Sequence, residues 1–123
     1  MKSKKNQDQT YDFICFSDLA YEFDIAEKKK IENKIRRRLK YYGLGMFDSD
    51  RVEMIRTLKN QLLAEFRDYK NSKYYVGSRG RYCDSKDFDF DLFLREYRTK
   101  FPGISSDDME NIIHFSIYLY YLR

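Results

Sequence analysis

Two stretches of this sequence repeat apolar residues at the spacing of an α-helix, and they constrain the fold more than any other feature. In residues 25–42 the apolar positions recur every three or four residues, at Ile31, Ile35, Leu39 and Tyr42. Residues 50–69 carry a longer stripe at the same spacing, formed by Val52, Ile55, Leu58, Leu62, Phe66 and Tyr69. Each pattern predicts an amphipathic helix that buries one face against other parts of the chain.

Residues with strong end preferences bound these two helices. Asp24 is a predicted N-cap, since its side chain can accept from free amides of the next turn, and Glu27 stands at capping-box spacing. Gly43 is a predicted stop, because glycine adopts the left-handed conformation that ends helices. Residues 48–50 would open the second helix.

The rest of the chain predicts a small β unit and a further helix. Residues 74–76 are aromatic and β-branched, as in a strand, and residues 88–94 begin with strand-like alternation. Ser105 or Ser106 with the acids that follow would start a C-terminal helix. For residues 112–122 the cap predicted at Ser105 or Ser106 favours a helix, whereas the alternation of apolar residues favours a strand.

The order of these elements predicts an α+β fold. It would consist of N-terminal helices, a small antiparallel or mixed β unit and a C-terminal helix, with one layer of helices on a short sheet. Residues 1–123 would form a single domain, with residues 1–9 as a mobile tail. Residues 11–16 are too short for periodicity to choose between strand and helix, and Ser17 or Asp18 would cap a short helix through Phe23.

Composition excludes several classes of protein. The chain is 42% hydrophobic and 18% aromatic, which is too apolar for a disordered chain. No run approaches the length of a membrane span, and the basic start lacks the apolar segment of a signal peptide, so we expect a cytoplasmic protein without membrane contact. The abundance of Lys, Tyr, Phe and Asn suits an AT-rich coding sequence of a low-GC bacterium, phage or plasmid.

The sequence has few Cys and His residues that could bind a metal ion or take part in nucleophilic catalysis. Cys15, Cys83 and His114 are too few for a structural zinc site. We expect two buried thiols in a reducing compartment, with a disulfide left open, and a packed His114.

Positive charge is concentrated in the first half of the chain. Residues 1–60 hold 14 basic and 10 acidic residues, whereas residues 61–123 hold 10 of each, so all of the net charge of +4 comes from the first half. The densest basic segment lies within the predicted helix 25–42 and comprises Lys28, Lys29, Lys30, Lys34, Arg36, Arg37, Arg38 and Lys40. These residues could contact nucleic-acid phosphates without regard to sequence, or form an ordinary solvated face.

A second constellation lies after the long helix. Val76-Gly77-Ser78-Arg79-Gly80-Arg81 is followed by Asp89-Phe90-Asp91-Leu92, with ten residues between Ser78 and Asp89. Over about residues 50–94 this resembles the nucleotidyltransferase superfamily of polymerase-β-like enzymes. The resemblance implies catalytic, Mg²⁺-binding carboxylates at Asp89 and Asp91 and a phosphate-binding turn formed by Gly77, Ser78, Arg79 and Arg81.

Physical chemistry is compatible with those roles. A glycine lets the backbone approach a phosphate, and side chains two apart on a strand share a face, so two carboxylates could hold Mg²⁺ together. The family supplies a third carboxylate from a later strand, and no acid after Leu94 stands in a clear strand at the expected position. Whether the chain is an enzyme is therefore left open. A plain hairpin followed by an acidic edge strand would also produce this sequence.

Three functions are consistent with these features. The first is a small nucleotide- or nucleic-acid-associated domain, nucleotidyltransferase-like with doubtful or lost catalysis. The second is a phage- or plasmid-encoded inhibitor or adaptor that binds a nucleic-acid-handling protein, as anti-CRISPR proteins do. The third is a DNA-binding regulator, because residues 17–43 loosely resemble a helix-turn-helix through Leu19, Ala20, Ile25, Ile31 and Ile35.

Overall fold

The computed structural model describes residues 9–78, 80 and 82–122, and these residues form an all-α fold. The α-helices are α1 (Tyr11–Leu19), α2 (Lys28–Tyr42), α3 (Ser49–Arg67), α4 (Phe90–Lys100) and α5 (Ser106–Ile117). Short 3₁₀ turns lie at Ile25–Glu27, Tyr69–Asn71 and Ser85–Asp87, and a π-helical turn follows α5 at Tyr118–Leu122. The predicted α+β fold, with helices on a short sheet, is therefore wrong.

The region predicted as a β unit contains one antiparallel bridge, between Tyr75 and Phe88. Two backbone hydrogen bonds flank it, at 2.8 Å from the Val76 N–H to the Asp87 carbonyl and at 2.7 Å from the Asp89 N–H to the Tyr74 carbonyl. In the described part of the chain no further pairing extends this bridge into a sheet.

Pairing stops at this bridge because a helix begins directly after it. The Asp89 side chain accepts a hydrogen bond of 3.1 Å from the Leu92 N–H and so caps α4. The residues of α4 that are fully buried, Phe93 and Tyr97, are four apart, which is helical spacing. The alternation of acidic and apolar residues in 88–94 thus coincides with a cap and a first helical turn, and the strand predicted there is wrong.

The predicted helix ends are mostly confirmed in the first half of the chain. Asp24 accepts from the Ala26 N–H at 2.9 Å, and it caps the 3₁₀ turn that precedes α2. Gly43 ends α2 with φ of 65°, a left-handed conformation that favours glycine. The cap predicted at Ser17 or Asp18 is wrong, because Thr10 caps α1 and both residues lie inside that helix.

The C-terminal segment is helical, as the cap predicted. Ser105 accepts from the Asp108 N–H at 3.1 Å, and α5 continues to Ile117 before the π-helical turn. The buried apolar side chains of this helix are Met109, Ile112, Ile113 and Ile117, at steps of three, one and four. A helix buries that set on one face, whereas a strand would place adjacent Ile112 and Ile113 on opposite faces.

The chain divides into two compact units, Met1–Lys59 and Asn60–Arg123, and α3 begins in the first and ends in the second. In the first unit α1 contacts α2, and both contribute fully buried apolar side chains, among them Ile14, Leu19, Ile35 and Leu39. In the second unit α4 contacts α5, and an aromatic cluster forms the core, with Phe66, Tyr74, Phe88, Phe93 and Tyr97 as members. None of the described helices has the length and apolar character needed to cross a bilayer.

The two cysteines are both free but differ in exposure. Cys15 is buried in α1, as expected, whereas Cys83 is exposed, so the expectation of two buried thiols is wrong for Cys83. Burial is the largest of the effects that raise the pKa of Cys15 from 9.0 to about 12, and the nearby carboxylates of Asp12 and Asp18 contribute to the same rise. Cys15 therefore stays protonated at neutral pH.

This difference predicts selective labelling. A thiol reagent at about pH 8 should modify Cys83 rapidly and leave Cys15 unmodified until the protein is unfolded, because the thiolate is the reactive form and Cys15 is inaccessible. A colorimetric thiol titration in buffer and in denaturant measures both groups. The Cys83→Ser variant is the control, and rapid labelling of this variant in its folded state would contradict the prediction.

Candidate nucleic-acid interface

Helix α2 separates its residues into a buried and an exposed face. Ile31, Ile35 and Leu39 are buried at steps of four residues. Because an α-helix has about 3.6 residues per turn, five cations project from the side opposite these residues. This basic face consists of Lys29, Lys30, Arg36, Arg37 and Lys40, all exposed.

The other three predicted contact residues of α2 are engaged in ion pairs. Arg38 donates to the buried carboxylate of Asp18 at 2.7 Å and to the Ser17 hydroxyl at 3.0 Å. Lys34 lies 3.6 Å from Asp18, and Lys28 lies 3.6 Å from Glu53. These three cations therefore have carboxylate partners within the first unit, and Arg38 and Lys34 together compensate the buried charge of Asp18.

The cations of the basic face have no such carboxylate partners in the part of the chain that the structure describes. Lys29, Lys30, Arg37 and Lys40 form no ion pair there, and the Arg36 guanidinium lies 4.1 Å from the centroid of the Phe47 ring. A cation over an aromatic ring keeps its charge. The basic face is therefore electropositive.

The acidic residue within α2 does not offset this charge. Glu32 is the single acid in the sequence of α2, and it accepts a hydrogen bond of 3.2 Å from Arg56 of α3. Residues 29 and 40 are about 16 Å apart along the helix axis, given a rise of about 1.5 Å per residue. The phosphates of one strand of a duplex succeed one another at about 3.4 Å along the duplex axis, so a helix lying along that axis would span roughly five of them.

Arg38 and its partner Asp18 show what sequence reasoning missed. All eight basic residues of α2 were predicted as one group, whereas the fold uses Arg38 to compensate Asp18. A signal was present in the sequence, because Asp18 interrupts the apolar run of α1 between Phe16 and Leu19. A charged residue in such a run indicates a buried partner elsewhere.

The phosphate-binding turn predicted from the nucleotidyltransferase resemblance is described only in part. Gly77 has φ of 99°, a conformation that favours glycine, and Ser78 is exposed with its hydroxyl donating to the Gly80 carbonyl at 3.2 Å. Arg79 and Arg81 lie outside the described residues.

Asp89 and Asp91 do not lie on a common strand. Asp89 caps α4, and Asp91 stands exposed in the first turn of that helix, where residues two apart point in different directions. The described residues contain no group of three or more His, Cys, Asp or Glu side chains that could hold a metal ion. The carboxylates lack the shared face that the resemblance requires, so the magnesium site stays a prediction from that resemblance alone.

The helix-turn-helix resemblance has support in the order of elements but not in the turn. Leu19, Ala20, Ile31 and Ile35 are buried where α1 and α2 meet. Ile25, in the connection between the helices, is 85% exposed. An apolar residue that holds such a turn in place would be buried, so the resemblance to a helix-turn-helix is limited to the order of the two helices.

His114 packs against another ring, as expected, although it lies at the surface. It is exposed on α5, and its ring stacks on Phe90 of α4 with the centroids 4.1 Å apart. This contact makes it a packing residue at the surface of the second unit.

Comparison with known proteins gives no significant match. No protein-family model matches the chain, and neither the curated proteins nor the solved structures contain a match to it. Function is therefore inferred from the chain's own geometry and charge.

Proposed function

We propose that this protein binds nucleic acid through the basic face of α2, by contacts to phosphates that do not depend on base sequence. The observation that carries the proposal is the charge pattern of that helix, since five exposed cations share one side and the helix's one acid pairs with Arg56. Such a surface supplies the attraction and the reach that phosphate contacts need. A cytoplasmic location, as expected from the sequence, would give it access to nucleic acid.

The energy of this binding comes largely from counterion release. Each cation that neutralises a phosphate displaces condensed counterions, so the affinity falls as salt rises, with a slope of about 0.9 per contact on duplex DNA. Five contacts would therefore produce a slope of about −4.5 in a plot of log affinity against log salt.

Removing three cations of the basic face should weaken binding strongly. We expect the variant Lys29→Gln/Arg37→Gln/Lys40→Gln to bind a duplex oligonucleotide about 10- to 100-fold more weakly than the natural protein, with the salt slope reduced by about 2.7. Arg38 is left unchanged, because it is the nearer of the two cations that pair with buried Asp18. Fluorescence anisotropy of a labelled duplex across a salt series measures both quantities.

A matched variant with the same loss of net charge is the control. Lys70, Lys86 and Arg98 are exposed cations of residues 60–123 and do not belong to the basic face, so their replacement with Gln should leave the affinity within about twofold if that face makes the phosphate contacts. Equal losses in the two triple variants would show that only net charge matters. That outcome, or an absence of binding by the natural protein, would overturn the proposal.

A second candidate function is binding to a protein, as an inhibitor or adaptor would do. It is favoured by exposed apolar side chains of the first unit, among them Phe23, Ile25 and Met46. Replacing Ile25 and Met46 with Ser would then abolish a stoichiometric complex with the partner while leaving oligonucleotide binding unchanged. If that variant kept the complex and lost oligonucleotide binding instead, this candidate would be removed.

A further inference from the structure

A large aromatic side chain stands among the cations of the basic face. Tyr41 follows Arg37 by one helical turn and is 66% exposed. It contacts Tyr42 in a T-shaped arrangement, with the centroids 4.9 Å apart and the rings inclined by 83°. A tyrosine this exposed contributes little to the core, and a large part of its surface faces solvent.

A second planar group lies on the other edge of the basic face. The Arg36 guanidinium covers the Phe47 ring at 4.1 Å, and Arg36 is itself exposed. The contact leaves the guanidinium charged at an exposed position of the basic face. Both aromatic rings and guanidinium planes are groups on which unpaired bases stack.

From these two groups we infer that the ligand of the basic face is single-stranded nucleic acid, with a base stacked on Tyr41 and the adjoining phosphates held by Arg37 and Lys40. The inference rests on the proposed function and adds the class of nucleic acid. In a duplex the faces of the bases are covered by their neighbours, so Tyr41 would have no partner there. In a single strand the bases can turn outward onto an aromatic ring.

The spacing along α2 suits this arrangement. Arg37 lies four residues before Tyr41, which is about 6 Å along the helix axis, and Lys40 is its direct neighbour. Both side chains are long and exposed, and neither forms an ion pair in the described part of the chain. They can therefore reach the phosphates on either side of a base that rests on Tyr41.

The Tyr41→Leu variant tests the stacking directly. Fluorescence anisotropy should show binding to a single-stranded oligonucleotide weakened by about 5- to 150-fold, which corresponds to 1–3 kcal/mol of stacking per base. Binding to a duplex of the same sequence should change by less than about twofold, because duplex binding uses the cations alone. Tyr41→Phe keeps the aromatic ring and should retain single-strand affinity. DNA and RNA versions of the strand are measured in parallel to identify which sugar is preferred.

The outcomes separate this inference from the proposed function. If the Lys29, Arg37 and Lys40 triple variant loses affinity while Tyr41→Leu binds single strands normally, phosphate binding stands and the stacking inference is overturned. If Tyr41→Leu weakens single-strand and duplex binding equally, the preference for single strands is also overturned. Thermal unfolding of Tyr41→Leu is the folding control, and its midpoint should match that of the natural protein, because Tyr41 is mostly exposed.

Discussion

Replacement of Phe93 by alanine is expected to lower the free energy of unfolding of the second unit by about 3–5 kcal/mol. Phe93 of α4 is fully buried, and its ring stacks on that of Tyr74 with the centroids 4.2 Å apart. The ring centroids of Phe66 and Tyr97 lie 5.9 and 5.3 Å from the ring centroid of Phe93. Alanine would leave a cavity at the centre of this cluster, because the surrounding rings cannot all collapse into the space.

Urea unfolding followed by circular dichroism measures this loss, and Phe90→Ala is the matched control. Phe90 lies on the same helix, one turn earlier, and is only half-buried, with its ring on exposed His114. We expect the control to cost about 1 kcal/mol. If the two substitutions had equal effects, Phe93 would not be the centre of this core.

The second large effect is expected at Arg56 of α3, in the first unit. The Arg56 side chain is 11% exposed and binds both carboxylate oxygens of buried Glu22, from Nε at 2.7 Å and from Nη2 at 2.9 Å. It also donates to Glu32 at 3.2 Å and to Glu53. The hydrogen bonds to Glu22 raise the pKa of Arg56 above its ordinary value, despite the opposing effect of burial.

Arg56→Met should lower the free energy of unfolding by about 3–5 kcal/mol, because it removes the cation and leaves the Glu22 carboxylate buried without it. The double variant Arg56→Met/Glu22→Met removes both charges and should recover most of this loss. Chemical denaturation of the two variants gives the comparison. A double variant no more stable than Arg56→Met would show that Glu22 is not the source of the cost.

Lys28→Met is the control for a surface ion pair in the same unit. Lys28 lies 3.6 Å from Glu53, and both side chains are about half exposed. Solvent screens such a pair, so its loss should cost less than about 1 kcal/mol. A loss as large as that of Arg56→Met would contradict the assignment of the first unit's electrostatic stability to Arg56.

Sequence reasoning located the candidate site but not its composition. The eight basic residues of α2 are evident from the sequence, and the period of the helix predicts which of them oppose Ile31, Ile35 and Leu39. The ion pairs of Asp18 in α1 with Arg38 and Lys34 depend on how two helices pack together. The spacing of residues in the sequence does not reveal that packing. The exposure of Tyr41 is likewise a property of the folded chain, since Tyr42 beside it is partly buried.

For the fold, the sequence by itself determined α2 and α3, with their ends placed to within about three residues. Their apolar stripes extend over several turns, and Asp24 and Gly43 act through local backbone geometry that neighbouring residues already specify. Residues 88–94 were decided only by the tertiary structure. Alternation over so few residues suits a strand as well as a helix start. The outcome depends on partners distant in sequence. Tyr75 pairs with Phe88, and the aromatic core buries Phe93 and Tyr97 on one face of α4. Burying the rings of Phe93 and Tyr97 on one face of a capped helix stabilises α4. This stabilisation comes from segments distant in sequence, so the local residue pattern does not reveal it.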